Sequence, residues 1–476
     1  MSKKADKLLL FLYLTGFVVI AATIALLQPL ADTPGLVNPP DEHARFMIPW
    51  YICQHGKIPT GFEEEIMIPS YGFSYGLYNV FPYIVQGYLM RLFSFFTDSK
   101  LILLYVARFV NVASGTCMAY VVYLLARKLF RTAGFRWAFC FAVMYLPQSL
   151  FLHTYVNTDS MCLLAVAMML YGAVSAYREG FTRTNCLWVS VGIILCALSY
   201  YNAYGYILSC ILLFFVYFLQ KKDGRWTYDW RQMLKKGIFI SVIVLAGIRW
   251  WFIRSYILYD GDFLGLATRE KMAIQYASPE VNPLTMSTYE SRGYTILEMM
   301  QENNFLESVY YSFVAAFGSM TITGNIWIYR LYKVFFAAGL FCCIVLSAPA
   351  IAGKSAAVSI CTGHSSASCG GRLNRWKRIF FHGNMIFCML MPMILLLRYA
   401  YTMDFQTQGR YLMPALIPLM YYAVRGFEKL TALKFWKARL TGILVILLIL
   451  LPVLSSVWMT FCAALPAYLR TGMVLE

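Results

Sequence analysis

The residues best suited to chemistry stand together at Asn38-Pro39-Pro40-Asp41-Glu42-His43-Ala44-Arg45-Phe46, just past a long apolar run. The Pro-Pro pair fixes φ, withholds N–H donors and halts a preceding helix. Two adjacent carboxylates, an imidazole and a guanidinium then follow. Charge this dense beside hydrocarbon marks a functional site, and the competing reading is an interfacial turn whose charges are merely solvated. Three further polar groups have the same character. One is His153 followed by Asn157-Thr158-Asp159; another is Arg249 with Arg254; the last is Asp404 followed by Gln408-Gly409-Arg410-Tyr411. A carboxylate within hydrogen-bond reach takes a proton from an attacking hydroxyl. Arginine's planar fork fits a phosphate and never loses its charge. Acids facing guanidiniums therefore suit a reaction with an anionic leaving group.

Each group also has a structural reading. Asp159 serves equally as the cap of a helix beginning near Ser160, and Arg249, Arg254 and Arg410 as snorkelling side chains at span ends. Arg108 and Asn111 read as an intrahelical packing pair, and His55 and Lys57 as plain loop residues. Cys361, His364 and Cys369 share a Ser/Gly-rich loop, but their spacing fits no familiar zinc site.

The elements that must position these groups cross a membrane. Hydrophobic residues make up 60% of the 476-residue chain and charged residues 13%, against about 25% charged in soluble domains. Mean hydropathy is +0.60. The apolar windows, each near the ~20 residues needed to cross, predict an all-α, polytopic protein of about eleven transmembrane helices in one integral domain. They lie at 8–30, 101–126, 137–151, 161–176, 187–200, 204–219, 238–251, 328–348, 379–397, 412–423 and 440–462. Segment 31–100 reads as an outward loop carrying a juxtamembrane or re-entrant helix over 75–96. Segment 258–327 reads as an outward, partly helical loop with an amphipathic end.

The net charge of +17 does not indicate a nucleic-acid partner. The Lys and Arg residues crowd before the first window and into alternate loops, where the acids are limited to Asp6, Glu179, Asp223, Asp229 and Glu428. That is the positive-inside pattern. It predicts an inward N-terminus, contacts to anionic lipid, and all four polar groups on the outer face. Thirteen cysteines fall mostly within spans or inward loops, with Cys53 and Cys462 facing outward, so no secreted disulfide framework is expected.

With these residues in hand, the chain resembles the GT-C superfamily of multi-pass glycosyltransferases that use polyprenyl- or dolichyl-phosphate sugars, and more closely a group of bacterial polytopic proteins related to it. The resemblance rests on the first-loop acids after Asn38-Pro39-Pro40, Tyr105-Val106-Ala107-Arg108-Phe109-Val110-Asn111, Asn157-Thr158-Asp159, Phe313-Val314-Ala315-Ala316-Phe317-Gly318 and Gln408-Gly409-Arg410-Tyr411. It implies transfer from a polyprenyl-phosphate-linked donor to a cell-envelope glycan, lipid or protein acceptor on the outer face. Asp41 would be the general base with Glu42 adjacent, and His43, Asn157, Asp159, Gln408 and Arg410 would hold substrate, with Arg254 as the alternative cation for the lipid phosphate. No cofactor is certain; if a divalent cation takes part, Asp41 and Asp159 are its ligands. The rival readings are a transporter or flippase for lipid-linked sugars, favoured by the mid-span Arg108, and a non-catalytic assembly partner.

Overall fold

Inside a bilayer every backbone N–H and C=O must be satisfied within its own segment or a closed sheet, and the apolar windows accordingly form helices. The computed structural model describes residues 2–30, 37–222, 225–347, 375–433 and 436–471. Helices α1 (Lys3–Leu27), α2 (Glu42–His55), α3 (Phe81–Phe93), α4 (Lys100–Leu129), α5 (Ala133–Met144) and α6 (Pro147–Leu152) make the first third. They are followed by α7 (Asp159–Glu179), α8 (Arg183–Ser199), α9 (Tyr204–Phe218), α10 (Trp230–Leu258), α11 (Leu266–Tyr276) and α12 (Ile296–Glu302). The chain ends with α13 (Phe305–Ala315), α14 (Ile326–Val345), α15 (Arg375–Thr402), α16 (Leu416–Thr431), α17 (Ala438–Trp458) and α18 (Leu465–Thr471). Strand structure among the described residues is confined to two short antiparallel hairpins, β1 (Leu219–Lys222) with β2 (Arg225–Tyr228) and β3 (Ala316–Phe317) with β4 (Ile322–Thr323).

Eight helical segments among the described residues are long and apolar enough to cross a membrane. The expected windows at 137–151, 187–200 and 412–423 correspond to shorter helices. Pro147 splits the first of them into α5 and α6, because proline cannot continue the ladder. The expected helix over 75–96 is a 3-10 turn, Tyr75–Leu77, and then α3, whose 13 residues span about 20 Å. That is too short to cross ~30 Å of hydrocarbon. The expected loop after α10 is indeed partly helical, as α11 and α12. The Cys361-His364-Cys369 cluster lies outside the described residues.

Packing follows membrane rules. Helices α14 and α16 meet where Gly339 and Gly426 face each other so closely that a Cβ at either would strike the partner backbone; small residues permit such approach. The main core, around Tyr13, Phe17, Met118, Phe139, Val166 and Met420, joins α1, α4, α5, α7 and α16.

The two ends of the bundle differ in chemistry. At one end Asp6 of α1 accepts from the Tyr123 hydroxyl at 2.7 Å and the Trp137 indole at 3.2 Å, Lys128 pairs with Glu179 and Arg425 with Glu428. The opposite end gathers the C-terminus of α1, all of α2 and the N-terminus of α7, and there the first-loop acids sit.

Candidate active site

Two carboxylates adjacent in sequence take opposite environments. Glu42, the first residue of α2, is fully buried and accepts from Arg108 twice, at 2.8 Å from Nε and 2.6 Å from Nη2. The Val156 amide donates to the same carboxylate at 2.8 Å. Arg108 spends its remaining fork on the carbonyls of Ala25 and Gln28, both at 2.9 Å. Glu42 thus ties α1, α4 and the turn before α7 into one corner, and its oxygens are committed to the fold instead of to a substrate. Arg108 and Asn111 are not an intrahelical pair. The Asn111 amide donates to the carbonyls of Tyr155 and, at 3.2 Å, Asn157, and it accepts from Gln86 at 3.1 Å. A charge within an apolar helix needs an opposite charge, which the neutral Asn111 amide cannot supply and Glu42 of α2 does.

Asp41 occupies the N-cap position of α2 in the left-handed region, φ 59° and ψ 8°. Aspartate tolerates that conformation better than most side chains, and such outliers persist where the surroundings hold them. The Glu42–Arg108 lock supplies that hold one residue away. The Asp41 side chain keeps 31% of its surface exposed, against 0% for Glu42, so it alone of the two can meet a ligand. Its Oδ2 accepts from Arg410 Nη2 at 2.6 Å across 369 positions of sequence and stands 3.6 Å from Arg45 Nη2. Burial pushes the Asp41 carboxyl up, but Arg410 first and Arg45 second outweigh it and hold the carboxyl below its ordinary value.

Arg410 is delivered by the 3-10 turn Gly409–Ala415. Its guanidinium also reaches the Pro40 carbonyl at 3.5 Å and the Tyr411 hydroxyl at 3.3 Å. Gly409 makes the approach possible: a Cβ there would lie 2.2 Å from the Phe313 amide nitrogen of α13. The Gly409 amide donates to Ser312 Oγ at 2.7 Å, and that hydroxyl donates to the Thr407 carbonyl at 2.8 Å.

Asp159 begins α7 and faces Arg45 Nη1 at 3.7 Å. The capping job falls instead to Asn157, whose Oδ1 accepts from the Ser160 amide at 3.0 Å while its amide donates to the Leu152 and Tyr155 carbonyls. Asn157 is therefore built into the turn, and Asp159 is left to Arg45. Arg45 bridges both acids and lies 5.1 Å from the centre of the Tyr75 ring. The sequence reading passed over it as a site residue, although it stands at i+4 from Asp41 on one helix, the spacing that brings opposite charges together.

The remaining candidates lie around this core or away from it. His43 is half-buried on the next position of α2. Gln408 donates to Gln406 at 2.8 Å, and Gln406 to Asp404 at 2.6 Å. Arg254 donates to the Pro59 carbonyl at 2.6 Å and stacks on Trp251, bracing the first loop rather than pairing with Asp41 or Asp159. His55 pairs with Glu65 at 3.1 Å. Cys53, on α2, is buried. Asp159 Oδ2, Arg45 Nε, Arg410 Nε and Gln408 Oε1 are buried with no hydrogen-bond partner among the described residues. Buried polar atoms are rarely left so; those of Arg45 and Arg410 belong to the two side chains that face Asp41, where a ligand could meet them.

No protein-family model and no curated protein matches the sequence. Solved structures do match. The apo form of the oligosaccharyltransferase of Archaeoglobus fulgidus superposes with a TM-score of 0.53 at 14% identity, over 95% of this chain and 56% of its own length. The same oligosaccharyltransferase tethered by a disulfide bond to an acceptor peptide containing the NVT sequon gives 0.50 at 14%, over 98% and 56%. The chain spans a little over half the length of these structures. At such identity the likeness is one of fold: the helical arrangement is similar to that of a little over half of the archaeal oligosaccharyltransferase.

Proposed function

We propose that this protein is a multi-pass membrane glycosyltransferase of the GT-C type. In this reading it moves a sugar from a polyprenyl-phosphate-linked donor to a cell-envelope glycan, lipid or protein acceptor, on the outer face of a bacterial cytoplasmic membrane. The observation that carries it is the 2.6 Å contact between half-exposed Asp41 and Arg410, with orphaned polar atoms around them. Asp41 takes the proton of the acceptor hydroxyl as that oxygen forms its bond to the anomeric carbon. The bond from that carbon to the phosphate oxygen breaks, and its electron pair leaves with the phosphate towards Arg410. Guanidinium and anion form a charge-assisted pair.

The same pair gives the proposed base a means of activation, although the arginines hold its carboxyl below the ordinary value. While Arg410 holds Asp41, proton affinity is low. A lipid phosphate that engages Arg410 withdraws that partner, and removing an opposite charge raises a carboxyl pKa. The base is thereby activated when the donor is seated. The transport reading loses its main support, since Arg108 is bound on all sides by Glu42, Ala25 and Gln28.

Asp41→Asn tests the assignment, because asparagine also tolerates the left-handed backbone. With purified protein, a defined polyprenyl-phosphate sugar and an acceptor, transfer should fall roughly 10²–10⁴-fold, the usual loss on removing a general base, while the variant stays folded and inserted. Full activity in that variant would sink the mechanism, and a chain inert with every donor would favour the non-catalytic assembly role.

A further inference from the structure

The two acids open to a divalent cation, Asp41 and Asp159, already share a cation. Arg45 Nη2 stands 3.6 Å from Asp41 Oδ2 and Arg45 Nη1 3.7 Å from Asp159 Oδ2, so one guanidinium occupies the gap between the carboxylates. Its position is fixed from outside the pair by the face of Tyr75 at 5.1 Å and by burial to 7% exposure. On the far side Arg410 claims the same Asp41 oxygen at 2.6 Å.

The charge count is decisive. Two carboxylates and two guanidiniums already balance, and a further +2 would face both arginines in a partly desolvated pocket, where like charges repel far more strongly than in water. Hard divalent ions also ask for about six oxygen ligands. Among the described residues no group of three or more His, Cys, Asp or Glu stands together to supply them. With the Arg45 guanidinium between the two acids the donor set does not fit a metal ion; with it gone, two carboxylates completed by coordinated water are enough to hold one.

We propose that Arg45 is a positioning residue that bridges Asp41 and Asp159 in place of a divalent cation, so that the centre works without bound metal. This rests on reading the cluster as the reaction centre. Arg45 then aims the base and holds the second acid, and a cavity with divalent affinity appears when its guanidinium is removed.

The test uses the full chain in detergent with Mn²⁺ as the probe, read by the paramagnetic signal of the free ion, together with transfer in excess chelator. The wild type should show no saturable Mn²⁺ binding and no loss with chelator. Arg45→Ala should lose transfer roughly 10²-fold, the scale of a misplaced reacting group, and should gain one Mn²⁺ site that the further change Asp159→Asn removes. Arg45→Lys, which keeps the charge without the fork, should recover part of the activity and bind no Mn²⁺. Saturable Mn²⁺ binding to the wild type that Asp41→Asn abolishes would overturn the proposal. So would transfer lost to chelator and restored by a divalent salt, or an Arg45→Ala chain that folds without gaining the site. The binding arm needs no turnover, so a protein that binds as expected but transfers nothing would reject the enzyme reading and leave the role of Arg45 standing.

Discussion

Adjacent side chains at the start of α2 do different work because one faces inward and the other does not. Glu42 and Arg108 are both fully buried, and a buried pair is strongly destabilising to break, by about 3–5 kcal/mol, because the survivor is left as an uncompensated charge. Glu42→Gln should therefore lower thermal stability in detergent by an amount of that order, whereas Asp41→Asn, at a carboxylate 31% exposed, should cost less although Arg410 and Arg45 stay buried. A thermal melt of the two variants separates the roles; equal losses would contradict the division. The pH dependence follows from the same geometry. The folded-state pKa of Asp41 is lowered from its ordinary 3.8 by Arg410 and Arg45, against the rise that burial imposes. The pair's stabilisation is then complete above that ordinary value and fades only as pH falls through the lower folded one. Melting temperatures of wild type and Asp41→Asn should keep a constant difference at near-neutral pH and converge only in strong acid. A difference that closes near neutrality would mean that the arginines do not hold this carboxylate.

At the scale of elements, the site depends on a turn reaching a helix from hundreds of positions away. The 3-10 turn carrying Arg410 packs on α13 through Gly409, where a methyl group would meet the Phe313 nitrogen at 2.2 Å and its Cα at 2.4 Å. Backbone cannot yield as a flexible side chain does, so Gly409→Ala should push the turn off α13 and carry Arg410 away from Asp41. We expect transfer to fall by at least as much as in Arg410→Ala, with donor affinity collapsing more than acceptor affinity in both. A Gly409→Ala enzyme with wild-type donor affinity would show that Arg410 does not depend on this contact. Much of the element layout was legible in the sequence. Apolar windows gave the helices, and the density of Asp41-Glu42-His43 marked the corner. The Glu42–Arg108 bridge was not legible, because 66 positions of sequence separate partners that only the tertiary fold brings together. Arg45 was closer to view: its pairing with Asp41 is local, but its reach to Asp159 is set by where α7 begins.

For the whole molecule, charge asymmetry and fold agree on direction. The Asp6, Glu179 and Glu428 contacts with Tyr123, Lys128 and Arg425 collect at the bundle end opposite Asp41, and these are the segments dense in Lys and Arg. The proposed orientation, by the positive-inside rule, has that end in the cytosol and the Asp41–Arg410 pair outside, where the proposed donor is a lipid-linked sugar. Labelling with a membrane-impermeant thiol reagent measures this. Among the described cysteines, the exposed ones are Cys117 of α4 and Cys462 beyond α17, both within apolar membrane-facing stretches that such a reagent reaches poorly, so the native background should be low. A cysteine at exposed Glu280, in the loop after α11, should label in intact cells. One at exposed Lys437, just before α17, should label only after permeabilisation, in a chain with Cys361 and Cys369 changed to serine. The reverse pattern would turn the acids towards the cytosol. The fold would survive that result, but the donor chemistry proposed for Asp41 and Arg410 would not, because its lipid phosphate would then sit on the wrong side of the bilayer.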